Sequence, residues 1–127
     1  MKLVFKRQPD YPQVEREYVQ LDKRLYPIIH IMQTIAWELW QDQLVITRIK
    51  DAKKMEGTDN THFFQEKPYR FIDIAILESG TENSEKLRGW INAMFDYGKT
   101  STGKPASTIP ALDHGTAPHF HIQVRPL

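Results

Sequence analysis

Apolar residues recur at three- and four-residue spacing across residues 17–43, which is the periodicity of a helix with one buried face. Pro27 lies inside this stretch. Because proline is best tolerated in the first turn of a helix, we expect a break or a new helix start there. A second helical pattern covers about residues 85–97, where Asn83 or Ser84 is a candidate N-cap. The pattern therefore predicts two amphipathic helices, the longer one first.

Three short segments rich in β-branched and aromatic residues are predicted as strands: residues 44–49, 70–77 and 119–124. Polar loops separate them, and residues 1–16 are predicted as an irregular N-terminal arm. Since strands and helices do not alternate regularly, the order favours an α+β fold, with a small, mainly antiparallel sheet and flanking helices. We expect a single domain over residues 1–127, with its core in residues 17–127.

The amino-acid composition limits the partners and the metal ligands that the protein can have. The 127 residues include 17 basic and 16 acidic side chains, and this net charge of +1 predicts no nucleic-acid partner, although it leaves room for a local basic patch. The apolar stretches are too short for a spanning helix or a signal peptide, so we expect synthesis in the cytoplasm and no membrane insertion. The absence of cysteine excludes disulfides, thiolate metal sites and a cysteine nucleophile. Any metal must bind to the five histidines and to carboxylates.

A carboxylate and two imidazoles interrupt the apolar strands. Asp73 lies among Phe71, Ile72 and Ile74, whereas His119 and His121 are two residues apart and therefore project from one face of the last strand. If that strand pairs with the strand of Asp73, the three side chains converge. Two nitrogens, one oxygen and an open position form the ligand set of a catalytic zinc site. The same spacing also fits ordinary strand residues, with Asp73 bonded to a backbone amide or an arginine.

Four segments carry a resemblance to a known family. They are Val45-Ile46-Thr47, Thr61-His62, Tyr69-Arg70-Phe71-Ile72-Asp73-Ile74 and Pro118-His119-Phe120-His121-Ile122-Gln123-Val124. Together they resemble the zinc D-alanyl-D-alanine carboxypeptidase and endopeptidase family, which shares its fold with the amino-terminal signalling domain of Hedgehog proteins. The resemblance covers roughly residues 20–124 and the order of helices and strands agrees. It implies a small phage-type member of this α+β fold.

The resemblance also implies residue roles. His62, Asp73 and His121 match the zinc ligands, and His119 would face the same cavity and help to stabilise the oxyanion at the scissile carbonyl. The implied reaction is zinc-assisted hydrolysis of an amide bond in the stem peptide or cross-bridge of peptidoglycan. A small, monomeric enzyme with no signal peptide would fit a phage or prophage lysis protein that acts on the cell wall once released.

The match departs from the family at the first ligand. Ten residues separate His62 from Asp73, where the family usually has six. Glu66 stands at the six-residue spacing and remains an alternative ligand or a solvated loop residue. For the substrate carboxylate, Arg48 is the first candidate and Lys50 the second, although either is also compatible with an exposed charge at a strand end.

The catalytic base is the second departure. Residues 115–118, just before the last strand, carry no titratable side chain, which leaves Asp113 and His114 as candidates on that segment. The Asp113-His114-Gly115 sequence is equally typical of a plain turn. Because no catalytic base is evident there, the sequence also fits an alternative function. This is a non-catalytic metal-binding or structural module that keeps the fold without the base.

Overall fold

The computed structural model describes residues 3–6, 14–49, 68–97, 108–109, 112 and 118–124. In this part of the chain the elements are β1 (Val4–Phe5), α1 (Val14–Tyr18), α2 (Leu25–Trp40), β2 (Val45–Arg48), β3 (Phe71–Ala75), α3 (Thr81–Met94) and β4 (His119–Gln123). The sheet order is β1-β2-β3-β4, with β1 parallel to β2 and the other pairs antiparallel. The predicted α+β fold with a small, mainly antiparallel sheet is confirmed.

The two central strands separate their side chains by face. On β3 and β4 one face carries Ile72, Ile74, Phe120 and Ile122, which are fully buried and belong to the main hydrophobic cluster. That cluster also includes apolar residues of both long helices, namely Ile28, Ile29, Met32, Leu87 and Ile91. We call this side the core face. The alternating positions form the opposite side, the site face, with Phe71, Asp73, Ala75, His119, His121 and Gln123.

The first predicted helix is two helices. Residues 14–18 form α1, and α2 starts at Leu25, which places Pro27 in its first turn as expected. Asp22 secures this start, because its carboxylate accepts hydrogen bonds from the backbone and the guanidinium of Arg24. The helix ends at Trp40, before the predicted boundary, since Gln41 adopts a left-handed conformation with φ of 53°.

The N-terminal arm is not wholly irregular. Val4 and Phe5 pair in parallel with Val45 and Ile46, and the Lys6 amide donates to the Ile46 carbonyl at 2.8 Å. A two-residue strand is too short to produce a periodic pattern, so the sequence offered little sign of it. The arm therefore adds the first strand of the sheet.

The predicted N-cap of the last helix is wrong. The helix begins at Thr81 after Gly80, whose φ of 114° few other residues adopt easily. Ser84 is instead buried in the first turn, where its hydroxyl accepts from the Leu77 amide at 3.0 Å and donates to the Gly80 carbonyl at 2.9 Å. Among the described helices, none combines the length and the apolar character that a membrane span requires.

Candidate metal and catalytic site

The register of β3 and β4 brings the chemistry together. Asp73 lies directly opposite His121, and Ala75 lies opposite His119. Directly opposed residues of an antiparallel pair project from the same face. The predicted convergence of the carboxylate with two imidazoles on one face is therefore confirmed for Asp73, His119 and His121.

Asp73 divides its two oxygens between the histidines. Its Oδ1 lies 2.8 Å from Nδ1 of His121, and its Oδ2 lies 3.7 Å from Nε2 of His119. The first distance is that of a hydrogen bond, whereas the second exceeds hydrogen-bond distance. With Asp73 ionised, its carboxylate accepts this bond and Nδ1 of His121 donates it. The carboxylate thus orients one imidazole firmly and the other loosely.

Burial differs among the three groups. The Asp73 side chain is 11% exposed, whereas those of His119 and His121 keep 26% and 22%. The carboxylate therefore forms the floor of the site, and the imidazoles stand between it and solvent. Partly exposed imidazoles in this position can meet a substrate or an ion.

Two further side chains contact Asp73 or His121. The Thr47 hydroxyl donates to the backbone carbonyl of Asp73 at 3.2 Å. The Phe71 ring lies nearly parallel to the His121 imidazole, at an interplanar angle of 13° and a centroid distance of 6.4 Å. Phe71 was not among the candidates from sequence, although its position two residues before Asp73 in a strand places both on one face. This two-residue spacing is the sequence signal that could have identified Phe71.

Arg48 reaches the site face through an irregularity in β2. Ile46 pairs with Ile74 and Arg48 pairs with Asp73, so that two steps along β2 match one step along β3. Thr47 is the extra residue of this bulge. In a regular strand Ile46 and Arg48 would share a face, but here Ile46 is fully buried in the core and Arg48 is half-buried opposite the carboxylate. The expected role of Arg48 in binding a substrate carboxylate stays a prediction.

Several candidate residues lie outside the described residues. They are Lys50, His62, Glu66, Asp113 and His114. Within the described ranges, no three His, Asp or Glu side chains are arranged to hold a metal ion. The ligand set expected from sequence has only Asp73 and His121 in those ranges.

The described pair carries donor atoms that zinc accepts, but it is spaced for a hydrogen bond. Nitrogen and carboxylate oxygen are donors that zinc accepts, and two ligands about 2.0–2.2 Å from a tetrahedral ion lie roughly 3.3–3.6 Å apart. Nδ1 of His121 and Oδ1 of Asp73 are closer, at 2.8 Å, because they share a hydrogen. Comparisons with protein-family models, curated proteins and solved structures return no match.

Proposed function

We propose that the protein is a zinc-dependent peptidase that hydrolyses an amide bond in the stem peptide or cross-bridge of peptidoglycan. The observation that supports this best is the sharing of the Asp73 carboxylate between His121 and His119 on one face of the sheet. Asp73 and His121 are the described ligands in this proposal, and His62 is the third, with Glu66 as its alternative. Zinc held there supplies a Lewis acid for the scissile carbonyl and lowers the pKa of a water molecule.

His119 has a different role from His121. Its Nε2 lies 3.7 Å from Oδ2 of Asp73, beyond hydrogen-bond distance, and its side chain is 26% exposed. A donor nitrogen in this position can turn toward the carbonyl oxygen of a bound substrate and stabilise the negative charge that develops there.

Arg48 supplies the substrate contact in this proposal. It lies opposite Asp73 at the edge of the same face, and its guanidinium suits the terminal carboxylate of a stem peptide through paired hydrogen bonds. Asp113 or His114 transfers the proton between water and the leaving amine. The phage or prophage lysis role and the monomeric state belong to the same proposal.

One sequence observation favours a second candidate function. Residues 115–118, immediately before β4, carry no titratable side chain. A module that binds metal through Asp73 and His121 but lacks a proton-transfer group would retain the site and not the hydrolysis. This non-catalytic metal-binding or structural module differs from the peptidase in a single measurable property, turnover.

Metal analysis combined with a peptidoglycan digest tests the proposal. We expect the purified protein to bind zinc and to release cleaved stem peptides that mass spectrometry detects, and chelation to abolish the release. His121→Ala should lose at least about 100-fold in zinc affinity, because even outer-shell partners are worth roughly 10–100-fold. His30→Ala, which alters an exposed histidine of α2, is the matched control and should bind zinc like the wild type.

The outcomes separate the candidates. Zinc binding with cleavage supports the peptidase, and zinc binding without cleavage of any peptidoglycan tested supports the module. A protein that neither binds zinc nor cleaves contradicts both. Equal zinc affinities for His121→Ala and His30→Ala would remove His121 from the ligand set.

A further inference from the structure

We propose that Phe71 is a positioning residue that fixes the plane of the His121 imidazole and keeps its Nδ1 edge directed at Asp73. The inference deepens the proposed function, since His121 is one of the ligands proposed there. Its structural content, the orientation of one imidazole, can be tested in the protein with no metal bound.

The surroundings of Phe71 set it apart from other buried rings. It is fully buried but lies outside the main hydrophobic cluster. The cluster includes Phe120, a ring equally buried on the neighbouring strand. Phe120 projects from the core face, whereas Phe71 projects from the site face with Asp73. Phe71 therefore packs beside the polar groups, and filling the main core does not explain its position.

Strand geometry places the ring beside His121. Phe71 pairs with Gln123, and Asp73 pairs with His121, so Phe71 and His121 are diagonal neighbours on the site face. Diagonal neighbours in an antiparallel pair are within reach of aromatic side chains. The two rings lie 6.4 Å apart between centroids and 13° from parallel, within the range of offset-stacked aromatic pairs.

Two contacts restrain the imidazole in different ways. The hydrogen bond to Asp73, at 2.8 Å, holds the Nδ1 edge of the ring but permits tilting about that bond. The flat face of Phe71 opposes the tilt, because a tilted imidazole would lose the parallel packing. Together the contacts hold a single ring orientation for a ligand.

Matched substitutions on the two faces test this role. Phe71→Leu and Phe71→Met remove the flat ring from the site face, and Phe120→Leu and Phe120→Met make the same changes on the core face. Long-range proton–nitrogen NMR spectra of the chelator-treated protein report which His121 nitrogen carries the hydrogen. We expect the wild type and both Phe120 variants to show one tautomer, protonated at Nδ1. We expect both Phe71 variants to show a mixture.

Zinc titration adds a second readout. Each Phe71 variant should lose about tenfold in zinc affinity, the scale typical of residues that orient a ligand, and the Phe120 variants should stay close to the wild type. If Phe71→Leu does not fold, Phe71→Met, which keeps most of the volume, provides the comparison. A Phe71 variant with the wild-type tautomer pattern overturns the proposal. A mixed tautomer in a protein that binds no zinc would support the positioning role and contradict the proposed function.

Discussion

The two faces of the β3 and β4 pair use adjacent residues for different purposes. Ile72, Ile74, Phe120 and Ile122 on the core face are fully buried and belong to the main hydrophobic cluster. One residue away along the same strands, Asp73 and His121 on the site face form a short hydrogen bond below a partly exposed imidazole. The rigid core face holds the backbone, and the backbone register sets the distances on the site face. Residues that stabilise the fold therefore alternate along each strand with residues that carry candidate chemistry.

The largest effect should come from the core face. Phe120→Ala would leave a cavity under the sheet, and such truncations cost about 3–5 kcal/mol, which is much of the stability of a typical domain. Chemical denaturation monitored by circular dichroism measures the loss. Asp73→Asn is the paired change on the site face. We expect this substitution to lower the free energy of unfolding much less than Phe120→Ala does, and to abolish zinc binding. Equal destabilisation by the two variants would contradict the division between the faces.

A second buried carboxylate shows what a structural aspartate does. The Arg24 guanidinium hydrogen-bonds to Asp22 and holds the pKa of that carboxyl below its usual value, although burial acts in the opposite direction. Asp22 thus hydrogen-bonds to an arginine two residues along the chain, whereas Asp73 lies against two partly exposed histidines. The first arrangement stabilises a helix start, and the second presents ionisable groups to solvent.

Asp22→Asn should therefore affect stability in a pH-dependent way and leave zinc binding unchanged. Because the folded-state pKa of Asp22 is lowered, its stabilisation is present at neutral pH and disappears as the pH falls through that lowered pKa. We expect a loss of about 1.5–3 kcal/mol at neutral pH, the range for hydrogen bonds to charged groups. Urea unfolding across the acid range measures it, with the exposed Glu15→Gln as control. If the loss of unfolding free energy persists unchanged in acid, the ionised Asp22 carboxylate is not its origin.

Much of the fold could be predicted from the sequence because strand and helix periodicities are local. The period of two put His119 and His121 on one face, whereas the pairing of their strand with that of Asp73 was only a condition, which the structure meets. The bulge at Thr47 could not be predicted, because it is a property of the register between β2 and β3. The separate α1 and the two-residue β1 were missed for a related reason, since each is too short to leave a periodic signal. The roles of His62, Glu66, Asp113 and His114 stay predictions.

Arg48→Gln tests whether the bulge serves the site face. If the guanidinium binds a substrate carboxylate, the variant should raise KM for stem peptide by about tenfold, or ~1.4 kcal/mol, with little change in kcat. Zinc affinity should not change, because Arg48 is not a ligand. Steady-state kinetics measure the two constants, and Arg16→Gln, an exposed arginine of α1, is the control. A loss confined to kcat would instead place Arg48 near the reacting atoms.

The smallest effect should come from Thr47, which joins the bulge to the floor of the site. Its hydroxyl donates to the Asp73 carbonyl at 3.2 Å, and Thr47→Val removes this bond while keeping the shape of the side chain. We expect a loss of about 0.5–1.5 kcal/mol in unfolding free energy. Because the bond holds the backbone of Asp73 and not its carboxylate, zinc affinity should change less than in the Phe71 variants. Denaturation and zinc titration of the same samples compare the two quantities. A larger loss of zinc affinity than in Phe71→Leu would show that the site face depends on the bulge more than on the stacked ring.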